Sequence, residues 1–353
     1  MRRPIDAASR LLRLLPAETA HRLSLRLLAS APRAWLGKGG TDEPILASRL
    51  FGLDFPNPLG LAAGYDKNAE AFAPALALGF GFVEIGSVTP RAQPGNPGPR
   101  LFRLSRDRAV INRMGFNNDG LDAVAARLAR HQSQGIVGAN LGKNKDSADA
   151  AADYVAGVHA LGPHADYLVI NVSSPNTPGL RALQGREPLA ALIAAVRSAR
   201  NSERPPLLLK IAPDLTESDK QDIAEVAIAG GLDGLIVSNT TIARPDSLRS
   251  AAKEEAGGLS GEPLFAPSTA LLADMYRLTT GKLPLIGVGG IASAEDAYAK
   301  IRAGASLLQL YTALIYGGAG LIGRIKTGLA ARLRADGFTS LAQAVGADHR
   351  SNA

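Results

Sequence analysis

Short, continuous apolar runs alternate with longer Ala- and Leu-rich segments from about residue 42 to residue 345. Continuous apolar runs are typical of strands buried on both faces of a parallel sheet, and the segments between them have helical periodicity. Eight such runs favour a closed barrel over an open doubly wound sheet. The predicted fold class is therefore α/β, a (β/α)8 TIM barrel. The predicted strands are Leu59–Ala63, Phe82–Gly86, Ile136–Asn140, Tyr167–Asn171, Leu207–Ile211, Gly234–Ser238, Leu285–Val288 and Leu307–Leu310.

Two extended runs interrupt this alternation between the second and third predicted strands. Leu101–Leu104 and Ala109–Asn112 lie within an insertion at residues 87–118, and they predict a hairpin over the barrel mouth. The barrel domain is expected to span residues 41–345, and residues 346–353 are expected to form a disordered tail.

The first 36 residues have a different pattern. Apolar residues recur at helical spacing on both sides of Pro16, and seven arginines against two acids leave this segment with a net charge of +5. We predict two short basic amphipathic helices in a segment of residues 1–40. Gly37–Thr41 (GKGGT) is the predicted linker to the barrel domain. Such helices either lie in a membrane interface or cap the main domain, and the pattern fits both equally well.

Composition excludes several classes of function. The 353 residues carry a net charge of +7 and include no cysteine, which rules out disulfides, Cys-ligated metals and a cysteine nucleophile. The five histidines show no metal-ligand spacing, so no metal site is predicted. No basic run is interleaved with aromatic residues as in nucleic-acid binders. No apolar stretch approaches the roughly 20 residues of a membrane span, and Arg10 and Arg13 interrupt any signal peptide.

Asparagines follow the predicted strands, where barrel enzymes place their chemistry. An amide offers two donors and an acceptor, which match the alternating N–H and C=O groups of a pyrimidine dione or of the uracil-like edge of a flavin. A single Asn is more often a turn residue, but five that converge on one face favour a ligand. They are Asn112, Asn140, Asn171, Asn176 and Asn239.

Two lysines add cationic groups to the same face. Lys210 lies within the apolar run LLLKIAP, where it could stabilise a reduced flavin or form the Schiff base of an aldolase-type barrel. Lys67 follows the first strand and could pair with a substrate carboxylate, a role for which Arg103 and Arg113 are weaker candidates. Lys67 considered alone would be interpreted as a surface lysine.

Glycines follow the last two strands, in GVGGI at residues 287–291 and YTALIYGGAG at residues 311–320. Many barrels bind a phosphate there through backbone N–H groups, and Gly261 could add another; the alternative is a pair of tight turns. Ser174 follows the fourth strand without a Gly-x-Ser-x-Gly elbow or an evident triad histidine. It could move a proton through ordered water, although the pattern alone favours a turn serine.

Several motifs together resemble the class 2 dihydroorotate dehydrogenase family, in the correct order from about residue 44 to residue 340. LPAETAHRL at the N-terminus also resembles class 2 and not class 1. The resemblance implies oxidation of dihydroorotate to orotate in pyrimidine biosynthesis, with FMN as cofactor. The matching motifs of the barrel are AAGYDKN, NRMGFNN, GANLGKNK, NVSSPNTPGLR, SNTT, GGLSG, GVGGI and LQLYT.

The resemblance also assigns roles to residues. It implies that Ser174 removes the C5 proton while a hydride passes from C6 to flavin N5; class 1 enzymes use a cysteine, which this chain lacks. Ser87 and Ser238 stand where threonine is common in the family. The implied substrate residues are Lys67, Asn112, Arg113, Met114, Gly115, Phe116, Asn171, Asn176, Asn239 and Thr240. The implied FMN residues are Ala63, Gly64, Ser87, Asn140, Asn171, Lys210, Ser238, Gly261, Gly290, Tyr311 and Thr312.

The electron acceptor implied by the resemblance is ubiquinone or menaquinone, entering between the N-terminal helices. We expect His21 and Arg103 near the quinone head. The basic helix faces suit anionic lipids, so the protein is expected to bind the cytoplasmic face of the cell membrane peripherally. A protein that only binds lipid surfaces, with the barrel as a scaffold, is a non-catalytic alternative.

Overall fold

The structure is a computed structural model that describes residues 11–32, 36, 42–130, 135–200 and 205–350. Most of the first predicted amphipathic helix and all of the linker Gly37–Thr41 lie outside these residues. The described strands are β1 (Ser48–Leu50), β2 (Leu53–Phe55), β3 (Leu59–Leu61), β4 (Phe82–Val88), β5 (Leu101–Leu104), β6 (Ala109–Asn112), β7 (Ile136–Leu141), β8 (Tyr167–Asn171), β9 (Leu207–Ile211), β10 (Gly234–Val237), β11 (Gly258–Gly261), β12 (Leu285–Val288) and β13 (Ala305–Leu310).

Eight of these strands form a closed, all-parallel barrel in the order β3, β4, β7, β8, β9, β10, β12, β13. They are the eight predicted strands, so the predicted TIM barrel is confirmed. The barrel closes where β13 pairs with β3, with Leu308 opposite Leu59. Since all eight strands are parallel, their carboxyl ends meet at one rim.

Helices follow the strands and cover the outside of the barrel. Local sequence fixes their starts: Thr216 and Asp219, for example, form a capping box in which each side chain accepts from the other's backbone N–H. The helices are α1 (Ala17–Ala29), α2 (Phe72–Ala77), α3 (Leu121–Leu128), α4 (Ala150–Leu161), α5 (Arg186–Ser198), α6 (Glu217–Ala229), α7 (Phe265–Leu278), α8 (Ala294–Arg302), α9 (Thr312–Gly317), α10 (Gly320–Ala335), α11 (Leu341–Ala344) and α12 (Ala347–Arg350). Short 3-10 turns are Pro44–Leu46, Ser105–Asp107, Leu180–Gln184, Ala251–Glu254 and Glu262–Leu264.

A separate antiparallel sheet lies beside the carboxyl rim. The insertion folds into the hairpin β5–β6, and β11 adds a third strand to β6 by pairing Gly258 with Asn112. Leu104, Ile111 and Leu259 form a small core within this sheet. The hairpin agrees with the prediction from its two extended runs, and the third strand is an addition that those runs do not predict.

The amino-terminal end of the barrel is filled with aromatic rings. Phe82 of β4 and Tyr167 of β8 point inward, and Phe55 from the hairpin β1–β2 packs edge-on against Phe82 with the ring centroids 5.3 Å apart. Apolar packing therefore closes this end, which leaves the carboxyl rim for chemistry.

The N-terminal helix α1 starts directly after Pro16, as the sequence predicts. Its Leu25 and Leu28 join the main core, whereas Leu23 and Leu27 remain exposed. Within the part of the chain that the structure describes, no helix combines the length and apolar character needed to cross a membrane.

The C-terminal end differs from the expected disordered tail, because residues 347–350 form the helix α12. Its residues bind the barrel: Asp348 forms a salt bridge with Arg302 at 2.6 Å, and His349 stacks on Tyr276. Residues 351–353 lie outside the described part of the chain.

Candidate active site

A cavity opens at the carboxyl rim and is bounded by strand ends, the hairpin β5–β6 and β11. Residues predicted from separate strand ends meet here, which is the convergence that the closed barrel requires. The predicted site residues that line the cavity are Ala63, Gly64, Lys67, Ser87, Asn112, Met114, Gly115, Phe116, Asn171, Ser174, Asn176, Lys210, Ser238, Asn239, Thr240, Gly261, Gly290, Tyr311 and Thr312.

A buried carboxylate lies beneath the cavity. Glu84 of β4 is fully buried and accepts hydrogen bonds from Asn140 Nδ2 (2.8 Å), Gln309 Nε2 (2.6 Å) and Tyr167 Oη (3.3 Å). Lys210 Nζ is 3.9 Å from Glu84 Oε1. Burial lowers the pKa of Lys210, and the negative charge of Glu84 opposes that shift. Glu84 therefore stabilises a cation at the floor of the cavity.

The amide of Asn140 does not line the cavity; it lies one layer below. Its Oδ1 accepts from Ser87 Oγ and from Asn171 Nδ2 (2.9 Å), and Asn171 also donates to Ser87 Oγ at 2.8 Å. Because the carboxylate of Glu84 can only accept, Asn140 must direct its NH2 group downward and its oxygen upward. This network fixes the side chains of Ser87 and Asn171 at the cavity wall.

The loop after β8 presents Ser174 to the cavity. Ser174 is 6% exposed, and its Oγ accepts from the backbone N–H of Asn176 at 3.2 Å. Arg181 holds this loop against the next one, because it donates to Ser173 O and Thr240 O, both at 3.0 Å. Among the described residues, no histidine or carboxylate is hydrogen-bonded to Ser174, so the site lacks the arrangement of a hydrolase triad.

Lys67 is positioned by the loop after β3. The buried carboxylate of Asp66 accepts from the backbone N–H groups of Glu70 (2.8 Å) and Ala71 (2.7 Å), which closes the loop. Lys67 Nζ then turns back to donate to Gly64 O at 2.8 Å. Burial, and after it the charge of Arg100, lowers the pKa of Lys67 to about 8.

Arg113 is placed away from the cavity, unlike the other residues predicted to contact the substrate. Its guanidinium pairs with Glu255 at 2.7 Å and lies over the ring of Phe102. The Arg113 side chain therefore does not line the cavity with the other predicted substrate residues. Arg113 follows β6 directly, and the orientation of its side chain depends on a partner 142 positions away that no local pattern reveals.

Two glycines at the rim have positive φ angles, but their surroundings differ. A Cβ on Gly64, which has a φ of +104°, would meet no atom within 4 Å, so its position opens onto free space. Gly290 has a φ of +75°, and a Cβ there would fall 2.5 Å from the backbone of Phe265. The turn after β12 therefore requires glycine and exposes backbone toward the cavity.

A second cavity lies between α1 and the barrel and is lined mainly by apolar side chains. His21 and Arg103, the residues expected near the quinone head, both line it. His21 Nδ1 is 3.1 Å from Tyr311 Oη, and Arg103 donates to the backbone oxygens of Arg13 and Leu15. Burial is the main cause that lowers the pKa of His21 to about 3, so its ring is neutral at physiological pH.

The two cavities share a wall. Four residues line both of them, and Tyr311 is the one that carries a polar group, directed toward His21. A group bound in the first cavity and one bound in the second would therefore be separated by a single layer of side chains. The shared residues are Leu101, Val110, Tyr311 and Ile315.

The sequence interpretation missed three residues that shape the site. Glu84 and Gln309 stand inside apolar runs, which is the signal that identified Lys210, and they could have been found in the same way. Arg100 was not predictable, because its partner Glu18 is 82 positions away. Gln309 Oε1 lacks a hydrogen-bond partner among the described residues, although it is buried at the cavity.

Comparison with known proteins agrees with this geometry. A family model described as dihydroorotate dehydrogenase matches residues 45–333. The chain is 62% identical over 344 residues to dihydroorotate dehydrogenase (quinone) of Rhodospirillum rubrum. This alignment covers 95% of this chain and 92% of that protein. It is 54% identical over 370 residues to the mitochondrial dihydroorotate dehydrogenase (quinone) of Arabidopsis thaliana. That alignment covers 96% of this chain and 80% of the relative. The crystal structure of DHODH from Eimeria tenella in complex with ferulenol superposes with a TM-score of 0.91 at 45% identity, covering 98% of this chain and 100% of that chain.

Proposed function

The chain belongs to the dihydroorotate dehydrogenase family, in its class 2, quinone-dependent branch, and we propose its function from this premise. The protein oxidises dihydroorotate to orotate in pyrimidine biosynthesis and transfers the electrons to a quinone. The observation that carries the proposal is that the polar strand ends converge on one cavity, which shares a wall with an apolar second cavity. Family membership removes the aldolase and lipid-scaffold alternatives.

The first cavity fits FMN as the redox cofactor. Gly64 opens onto free space, Lys210 supplies a buried cation, and Gln309 Oε1 offers an acceptor without a partner among the described residues. When bound, FMN supplies a two-electron carrier that takes a hydride and later releases the electrons. Asn140 supports the FMN site from one layer below by holding Ser87 and Asn171. The proposed FMN residues at the cavity are Ala63, Gly64, Ser87, Asn171, Lys210, Ser238, Gly261, Gly290, Tyr311 and Thr312.

The substrate binds above these groups and is held by amides and one cation. Lys67 pairs with the carboxylate of dihydroorotate, and the asparagine amides match the alternating donors and acceptors of its ring. Asn176 Nδ2 also donates to Asn112 O at 3.1 Å, which ties two parts of the substrate site together. The proposed substrate residues are Lys67, Asn112, Met114, Gly115, Phe116, Asn171, Asn176, Asn239 and Thr240.

Ser174 acts as the base that removes the proton from C5. The backbone N–H of Asn176 stabilises negative charge on Ser174 Oγ, so the hydroxyl gives up its own proton more readily as Oγ takes the proton from C5. Thr177, in the same loop, is buried, and its Oγ1 has no hydrogen-bond partner among the described residues. In this proposal its hydroxyl hydrogen-bonds the ordered water through which the proton leaves Ser174.

The second cavity is the quinone site in this proposal. Its apolar lining suits a lipid-soluble molecule, and the neutral ring of His21 beside Tyr311 can hydrogen-bond a quinone carbonyl. The exposed Leu23 and Leu27, with the arginines of the N-terminal segment, suit a peripheral position on the cytoplasmic face of the cell membrane. Residues 1–40 thus form the quinone and membrane segment, and residues 41–345 form the catalytic barrel.

Anaerobic mixing of the purified protein with dihydroorotate tests the proposal. We expect a yellow protein whose flavin absorption bleaches on mixing and returns when a quinone is added. A colourless protein, or a yellow one that dihydroorotate does not bleach, would contradict the proposed function.

A further inference from the structure

One guanidinium connects the N-terminal helix α1 to the loop beneath the substrate site. Arg100 is 8% exposed, and its Nη2 and Nε donate to the carboxylate of Glu18 on α1 at 2.9 and 3.2 Å. Its Nη1 donates to Pro94 O at 2.6 Å and to Asn96 O at 2.8 Å. Arg100 therefore uses one edge for α1 and the other for the loop at residues 94–96.

This loop in turn supports the segment 112–116, to which the substrate is proposed to bind. The backbone N–H of Asn96 donates to Met114 O at 3.0 Å, and Asn96 Nδ2 donates to Arg113 O at 3.1 Å and Asn176 O at 3.2 Å. The contact is tight, because a Cβ on Gly95 would lie 2.2 Å from Met114 O. A movement of the loop would therefore displace the substrate segment.

We propose that Glu18 and Arg100 are positioning residues for the substrate site, through which the docking of α1 sets the geometry of residues 112–116. The proposal rests on the proposed function. It gives α1 a second role: the helix that covers the quinone cavity also controls how well dihydroorotate and orotate bind on the other side of the shared wall.

The strength of this connection follows from charge and burial. A guanidinium as buried as Arg100 is costly without an opposite charge, and Glu18 provides that charge. Pairing with Arg100 is the main cause that lowers the pKa of Glu18, so the carboxylate is ionised under physiological conditions. If Glu18 loses its charge, the Arg100 guanidinium loses its ion pair and shifts. Its hydrogen bonds to the loop at residues 94–96 then change as well.

Arg22 provides a matched control on the same helix. It also pairs with Glu18, at 2.7 Å, but its side chain is 64% exposed, and the structure gives it no bond to the loop. Substitution of Arg22 by Gln removes a charge from α1 and leaves the Glu18–Arg100 pair in place. A general effect of helix charge would therefore change orotate affinity in both variants with opposite signs, whereas an effect through Arg100 would appear only in Glu18→Gln.

The experiment is a titration of the FMN-loaded, full-length protein with orotate, followed by the change in flavin absorbance. We expect Glu18→Gln to raise the orotate dissociation constant roughly 5- to 20-fold, at the lower end of measured couplings between sites. Arg22→Gln should stay within about twofold of the wild type, a difference that corresponds to less than 1 kcal/mol.

Coupling between two sites is reciprocal, which gives a second measurement that a loss of stability would not reproduce. Orotate should slow hydrogen exchange within residues 17–29 of the wild type and of Arg22→Gln, but not within those residues of Glu18→Gln. Equal orotate affinity in Glu18→Gln and the wild type would overturn the proposal, as would equal weakening in both variants. A wild type that binds no orotate would instead overturn the proposed function, and the present proposal with it.

Discussion

Lys210 is a buried cation and Lys67 a half-buried one, and the structure stabilises them differently. Lys210 has the carboxylate of Glu84 at 3.9 Å, whereas Lys67 donates to the backbone oxygen of Gly64 and lies near the positive charge of Arg100. Glu18 and Asp66 offset the lowering of the Lys67 pKa only in part, and no carboxylate among the described residues forms an ion pair with Lys67. Lys67 therefore still lacks a paired negative charge. The carboxylate of the proposed substrate would supply it.

The charge of Lys67 gives the first prediction. Its pKa is lowered to about 8, so the lysine is protonated below that pH and loses its charge above it. Since only the protonated form pairs with a carboxylate, orotate affinity should be constant from pH 6 to about 7.5. It should then fall up to about tenfold per pH unit above 8. Titrations at several pH values check this. Lys67→Gln should bind weakly throughout and show no such inflection, and a wild type that also shows none would contradict the assignment.

Ser174 gives the second prediction at this scale. Ser174→Ala should retain FMN and bind orotate, because the Lys67 and asparagine contacts remain. It should reduce its flavin about 10²–10⁴ times more slowly, the usual cost of removing a general base. Single-turnover stopped-flow absorbance measures the rate. Reduction at the wild-type rate would exclude Ser174 as the base.

At the scale of elements, α1 forms one side of the second cavity, and the barrel forms the other. Leu25 and Leu28 hold the helix on the core, while Ala20 and His21 face the cavity. The small side chain of Ala20 leaves part of this space open. The width available to a quinone therefore depends on one face of a single helix.

Filling that space should impair the reaction with the quinone and leave the oxidation of dihydroorotate intact. Ala20→Trp places a large ring in the second cavity, and overpacking of this kind costs about 1–3 kcal/mol. Apparent quinone affinity should fall roughly 5- to 100-fold, while turnover with a water-soluble dye is retained. Thr19→Trp, on the exposed neighbouring position, is the control. Equal quinone kinetics in Ala20→Trp and the wild type would show that the quinone binds elsewhere.

Strands were predictable where the signal was local. Continuous apolar runs gave all eight barrel strands to within two residues, and polar residues at their ends gave most of the cavity lining. The strand β11 was missed because GLSG is short and glycine-rich, and its partner β6 lies about 150 positions earlier. The Arg113–Glu255 pair and the Glu18–Arg100 pair were both missed for the same physical reason. Both depend on pairing across long stretches of chain, which periodicity does not encode.

At the scale of the whole molecule, two barrel strands carry glycines where aromatic rings fill the interior of the barrel. A Cβ on Gly138 would lie 2.0 Å from the Tyr167 ring, and one on Gly60 would lie 2.3 Å from the Phe82 ring. These rings fill the end of the barrel opposite the site. Their positions also support Glu84, which is hydrogen-bonded to Tyr167.

A pair of glycine substitutions tests this packing. Gly138→Ala should destabilise the protein by about 1–3 kcal/mol through overpacking, which would lower Tm by several degrees in thermal unfolding. Gly323→Ala, within α10, has no atom within 4 Å of its added Cβ and should stabilise the protein by up to about 1 kcal/mol. An unchanged Tm in Gly138→Ala would mean that the ring of Tyr167 moves aside without cost.

The thin partition of Leu101, Val110, Tyr311 and Ile315 has a further consequence for how the proposed enzyme meets its reactants. The first cavity opens beside charged and amide groups, and the second opens beneath the apolar face of α1. A water-soluble substrate can thus enter one cavity from solution, and a lipid-soluble oxidant can enter the other from the membrane. Only electrons then pass from one cavity to the other. Neither molecule has to leave its cavity before the other binds, so the two do not compete for one opening. The order in which they react is then set by the oxidation state of the proposed flavin.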